Sequence, residues 1–263
     1  MAGSGTPGRI RDTPIKGTDI VLFEKRMNHF GTDEYIKRVK ALDEQVFSKI
    51  SFAEPERVTE LEGSFYVRHY YFADVEHCIP NHAPIDGEIC RLYKNDKMLF
   101  EWKNLDGRSR MAKIIHHSNG SDYLVFDEDL YGYSVLDLNT LECMRYLPAE
   151  SYGETPKETF IWCDCFYNAV TDQLAVDGCF WASPDNVIVL DLTDPMTPVE
   201  ADKWIDLYEE CSKCVPDITD INVVKWSNKR LICKTSDPIP ARLNIRGMFE
   251  IEFIKENEGG AIL

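Results

Sequence analysis

Four cysteines carry spacings that zinc sites use. Cys211 and Cys214 form a C-x-x-C pair and Cys163 and Cys165 a C-x-C pair, so together they could offer four thiolates to a metal. The residues around Cys163 and Cys165 read as a strand, where period two places both on one face and reduced cysteine packs as a small hydrophobe. Cys211 and Cys214 lack the βαβ surroundings of a redox pair. His69, His77, His82, His116 and His117 gather in the first half with Cys78, in a spacing that matches no standard metal site. Acidic residues recur at strand ends: Asp127, Glu128, Asp129, Asp137, Asp164, Asp177 and Asp191. Strands converging on an axis would let Asp127, Asp164, Asp177 and His116 hold a divalent cation that activates water for a hydrolase or lyase. Asp137 and Asp191 fit turns better, and the others read as solubilising charge. There is no H-E-x-x-H, G-x-S-x-G, Walker loop or S-x-x-K. No residue is therefore assigned as catalytic, and no cofactor is expected.

Large rings form a second pattern. Tyr131 and Tyr133 lie in one inter-strand connection and Phe180 and Trp181 in another at the equivalent place of an internal repeat. Exposed together, they would make a hot-spot surface for a partner. Folded inward, they would seal the core.

The elements around these residues are mostly strands. Thr32-Asp33 offers an N-cap ahead of Ile36, Val39, Leu42, Val46, Phe47 and Ile50, which predicts an amphipathic helix over 33–50. From about residue 60, short β-rich runs alternate with turn residues. Strands are expected at 64–72, 88–93, 98–102, 112–116, 123–126, 134–138, 143–147, 160–167, 173–176, 186–192, 222–226, 230–234 and 248–254. A short helix over 200–211 is the exception. Ile20 to Phe23 reads as a further strand, and the Gly- and Pro-rich residues 1–17 as a flexible lead. Gly3, Gly5 and Gly8 match G-x-G-x-x-G by chance, because no strand precedes them and no helix follows. The organisation is then a lead (1–17), a strand and helix (18–58) and a β domain (59–258).

Within the β domain, Leu136-Asp137-Leu138 and Leu190-Asp191-Leu192 lie 54 residues apart, each ending an apolar strand before Asn or Thr. Weaker echoes flank them, at Glu88–Tyr93 turning through Asn95-Asp96 and at Arg230–Lys234. A 50–60-residue period with three or four strands per unit is a propeller-blade signature. The stretch from Asn119-Gly120 through Val135-Leu136-Asp137-Leu138 resembles a degenerate WD-repeat blade, with Leu136-Asp137 where that family has Trp-Asp. The copy ending Val189-Leu190-Asp191-Leu192 is similar to it, and the chain also resembles uncharacterised small bacterial propeller-like proteins. The likeness covers about half the chain and implies a small or irregular β-propeller. An all-β, mainly antiparallel fold with one N-terminal helix is the expectation, with a β-sandwich as the alternative.

The chain has 263 residues and a net charge of −16, from 29 Lys+Arg against 45 Asp+Glu. Such a balance argues against nucleic acid, whose binders cluster positive charge. The nine cysteines are odd in number and thinly spread, which fits reduced thiols. No secretory or membrane-spanning pattern opens the chain, so a soluble cytoplasmic protein is expected. These readings favour a non-enzymatic module that binds a protein or peptide, with a basic partner suited to its charge. A metal-dependent propeller hydrolase or lyase and an acidic inhibitor of a basic partner are the alternatives.

Overall fold

Alternating apolar residues and tight turns build four sheets in chain order. The computed structural model describes residues 28–76, 84–153, 156–214, 218–236 and 242–255. Expectations for residues 1–27, including the lead and the strand at Ile20, lie outside these, as do His77, Cys78 and His82.

Sheet I contains β1 (Arg57–Glu60), β2 (Phe65–Asp74), β3 (Ile85–Lys94) and β4 (Lys97–Asn104), and sheet II contains β5 (Ala112–His116), β6 (Asp122–Phe126), β7 (Tyr133–Asp137) and β8 (Cys143–Tyr146). Each is an antiparallel meander. Sheet III is likewise antiparallel, with β9 (Ile161–Asn168), β10 (Gln173–Cys179), β11 (Asp185–Asp191) and the two-residue β12 (Ile205–Asp206). Sheet IV departs from this pattern. Its strands β13 (Asn222–Ser227), β14 (Arg230–Thr235), β15 (Arg242–Ile245) and β16 (Phe249–Lys255) run in the order β13-β14-β16-β15, and β14 pairs with β16 in parallel. A tight turn at Arg246 and Gly247, both at positive φ, reverses the chain from β15 into β16.

The hydrophobic clusters show how the sheets stack. Phe65, Val67, Cys90, Leu92 and Trp102 of sheet I pack on Leu124, Phe126 and Leu136 of sheet II. The opposite face of sheet II, with Tyr123, Val125, Tyr133 and Val135, meets Trp162, Cys165, Leu174 and Val176 of sheet III. Ala175, Val187 and Val189 on the far face of sheet III then meet Leu231, Cys233 and Ile251 of sheet IV. Period two explains this arrangement, because consecutive residues of β6, β7, β10 and β11 feed opposite interfaces. Among the described residues, no cluster joins sheet IV to sheet I. The fold is all-β and mainly antiparallel, with one N-terminal helix.

That helix, α1 (Asp33–Gln45), is shorter than expected. Thr32 caps it by accepting a hydrogen bond from the Tyr35 N–H, and at Val46 the backbone turns to φ −123° and a 3-10 turn follows over Phe47–Lys49. Ile36 lies on the solvent side, and Tyr35, Val39 and Leu42 instead pack toward Val46, Phe47, Tyr70 and Ile89. Arg38 anchors the helix through a 2.5 Å ion pair with buried Asp129. The expected helix over 200–211 is instead a 3-10 turn at Ala201–Lys203, strand β12 and α2 (Leu207–Ser212), which Asp206 caps through the Glu209 N–H. No helix among the described residues is long and apolar enough to cross a membrane.

The two repeat aspartates are turn residues. Asp137 accepts from the Asn139 and Thr140 N–H groups, and Asp191 accepts from the Thr193 N–H and hydroxyl.

Candidate functional site

Two places combine exposure with chemistry. The larger is a groove of about 540 Å³ along the first strands of sheets I, II and III, lined by Arg57, Thr59, His69, Arg110, Lys113 and Asp164 among others. Its wall opens onto a buried polar network between sheets I and II. Register explains the network: Arg57 lies opposite His69, His69 opposite Cys90, and Glu88 two residues before Cys90 on the same face.

Glu88 Oε2 accepts from His69 Nδ1 at 2.9 Å, from the Ser109 N–H at 2.9 Å and from the Cys90 thiol at 3.3 Å. His69 Nε2 lies 3.0 Å from Thr59 Oγ1. Burial alone would push the Glu88 carboxyl up, but the bonds from His69, Ser109 and Cys90 outweigh it and hold the group below its ordinary range. An ionised Glu88 only accepts and the Arg57 guanidinium, 3.0 Å from the same Nδ1, only donates, so the two contacts at Nδ1 of His69 call for different tautomers. Burial, with Glu88 beside it, pushes the Cys90 thiol well up. Among the described residues this is the one group of three metal-ligating side chains within reach of one another.

Of the four metal candidates from the sequence, Asp164 and Asp177 lie opposite each other on β9 and β10, but among the described residues none of the four joins a group of three metal-ligating side chains. Asp127 is buried and accepts from Ser109 Oγ, from the Arg110 and Met111 N–H groups and from Asn104 Nδ2, which ties down the connection from β4 to β5. Asp164 pairs with Lys113 at 2.9 Å. Asp177 accepts from the Val223 N–H, and exposed His116 bridges Asp122 and Glu62. The solubilising role expected for residues 127–129 is overturned, because all three side chains are buried: Glu128 is held by Arg145 and Ser134, and Asp129 by Arg38.

The cysteine pairs also separate. A bulge opposite Asp177 and Gly178 makes Cys163 the extra residue of β9, so Cys163 is exposed while Cys165 is buried, contrary to the shared face expected. The bulge puts Trp162 and Cys165 together in the core. Gly178 leaves the needed room, since a Cβ there would stand 1.9 Å from the Ile161 carbonyl oxygen. Cys165 and Cys211 belong to clusters on opposite faces of sheet III, and Cys214 is exposed. The eight cysteines among the described residues are all free thiols.

The second place is the pair of aromatic loops, β6–β7 and β10–β11. Tyr131 forms a bridge with Ile161, and Ile161 pairs with Cys179, so the two loops leave the same edge side by side. Tyr133 is not part of any exposed surface: its ring is 1% exposed, stacks on Trp162 at 4.6 Å, and its hydroxyl accepts from the Val199 N–H. Phe180 is half-buried and packs edge-on against Phe160. Trp181 is 67% exposed and precedes Ala182 at φ 59°. Its neighbour in the loop, Phe180, lines a pocket of about 260 Å³ together with Ser183, Pro184, Asn186, Asp206 and Tyr208. Exposed Glu158 acts electrostatically on both Tyr131 and Cys179, and exposed Asp185 acts on Cys179, so carboxylates flank both loops.

Glu88 and Cys90 are functional candidates that sequence reasoning missed. The signal was their alternation in β3 facing a histidine in the preceding strand. No protein-family model matches this chain, and no curated protein matches it at a significant level.

Proposed function

We propose that the protein is a binding module that takes a basic peptide or protein segment on its two aromatic loops. The observation that carries this reading is Trp181: a large ring held in solvent in the same loop as Phe180, which lines an apolar pocket, at the edge it shares with Tyr131. Exposed aromatics beside a pocket are the common anchors of protein interfaces. The flanking Glu158 and Asp185 suit Arg or Lys, whose cations also stack on Trp and Tyr faces. A net charge of −16 would steer such a partner inward. The four successive four-stranded units support the blade reading of the repeat, in which equivalent loops share a face. Phe180 lines the pocket and Trp181 closes over the guest, while Tyr133 serves by packing beneath.

Panning a random peptide library against the protein tests this. Enrichment of Arg- or Lys-containing peptides, lost in the Trp181→Ala/Tyr131→Ala variant at unchanged Tm, is the expected result. Peptides that bind the double variant equally well, or no enrichment at all, would overturn it.

A further inference from the structure

We propose that His69, Glu88 and Cys90 form a binding site for a zinc-like divalent cation, with a fourth position open to the groove. The three donors come from two adjacent strands whose register is set by unbroken pairing from Phe65↔Lys94 to Asp74↔Ile85. His69 Nδ1, Glu88 Oε2 and Cys90 Sγ already approach one another at 2.9–3.4 Å, a spacing that an ion placed between them would hold with little backbone movement. Imidazole, carboxylate and thiolate together are a borderline-soft set that suits Zn²⁺ and does not suit Mg²⁺ or Ca²⁺. Three protein ligands with one open position is the coordination that leaves zinc free to bind water or a substrate oxygen.

The surroundings supply the outer contacts such sites use. When Nδ1 ligates, Nε2 carries the ring proton and donates it to Thr59 Oγ1, 3.0 Å away, which fixes the ring orientation. The Ser109 N–H steadies the carboxylate. The Cys90 thiol loses its proton to solvent on coordination. Arg57 Nη2 stands 3.0 Å from His69 Nδ1 and 3.6 Å from Glu88, so a positive charge already occupies this corner. The same Nη2 donates to the Ser109 carbonyl at 2.9 Å, so the ion enters only as Arg57, exposed along the groove, gives up these contacts and turns outward.

Titration of the reduced, metal-free chain with Co²⁺ tests the site without any assumed activity. Wild type should take up one ion and show a thiolate-to-cobalt charge-transfer band with visible bands of four-coordinate Co²⁺, and Zn²⁺ should abolish both. Cys90→Ser should remove the charge-transfer band. Thr59→Val, a change on a half-buried side chain that need not disturb folding, should weaken binding about 10–100-fold. A wild-type titration with no such band overturns the proposal. So does a band that persists in Cys90→Ser, because it assigns the ion to another cysteine. If Cys90→Ser does not fold, Thr59→Val decides: unchanged affinity overturns the site and weakened affinity supports it.

Discussion

The Asp177 carboxylate of β10 accepts a 2.7 Å hydrogen bond from the Val223 N–H of β13, so one side chain joins sheet III to sheet IV. Burial, with Asp164 and Asp185 nearby, pushes this carboxyl up to about 7. The folded state therefore holds the proton more tightly than the unfolded chain, whose Asp titrates near 3.9. Any stability this gives is complete below about pH 4 and is lost as pH rises through about 7. Asp177→Asn keeps the acceptor oxygen and removes the charge. It should raise the Tm at pH 8 and leave it nearly unchanged at pH 4. Thermal melts at the two pH values check this, and an equal shift at both would refute the electrostatic account.

Asp127 should matter through the backbone it satisfies. Asp127→Ala would strand the Arg110 and Met111 N–H groups and Asn104, all of which now bond to its carboxylate. Each stranded buried donor costs about 1–3 kcal/mol, so with three of them the variant should lose roughly 3–9 kcal/mol in urea unfolding. Asp127→Asn, which retains acceptor capacity, should lose less. Equal losses would show that the charge, and not the acceptor geometry, is what the fold requires.

Gly178 tests the bulge. A methyl group there would meet the Ile161 carbonyl oxygen at 1.9 Å and the Phe160 ring at 2.6 Å. Gly178→Ala should therefore be poorly folded or strongly destabilised, losing more than the ~1–3 kcal/mol typical of core overpacking. Circular dichroism during a thermal ramp measures it. A melt within 1–2 °C of wild type, where about 1 kcal/mol already moves a domain of this size by ~2–4 °C, would show that the bulge can relax.

The aromatic residues should divide into two classes. Tyr133→Ala empties a fully buried site against Trp162 and should cost about 3–5 kcal/mol. Trp181→Ala, at an exposed position, should change stability by less than about 0.5 kcal/mol. A large stability loss in Trp181→Ala would mean that its ring packs inward in solution.

Much of this fold was legible in the sequence, and the exceptions share a cause. The strand expected at 112–116 coincides with β5, and the interior strands of the other sheets were each anticipated within a few residues. The three strands not foreseen, β1, β12 and β15, all lie at sheet edges. The side chains of β1 are largely exposed, and β12 and β15 are only two and four residues long, so no apolar alternation marks them. The parallel pairing of β14 with β16 was equally hidden, because strand order is set by long-range contacts. At the candidate sites, Trp181 could be noticed as a ring but not distinguished from Tyr133 as exposed. Asp127, Glu128 and Asp129 read as surface charge since their partners Arg38, Ser109 and Arg145 are distant in sequence. The His69, Glu88 and Cys90 group needed the register of β2 against β3, which composition does not carry.

The serial stacking of the sheets has a kinetic corollary. Sheets II and III are each clamped between two neighbours, whereas sheet IV meets a neighbouring sheet across one cluster among the described residues. In such a quasi-linear array, opening one terminal unit disrupts one interface, but opening an inner unit disrupts two. Amide protons of β13 to β16 should then exchange with deuterium ahead of those in β6, β7, β10 and β11.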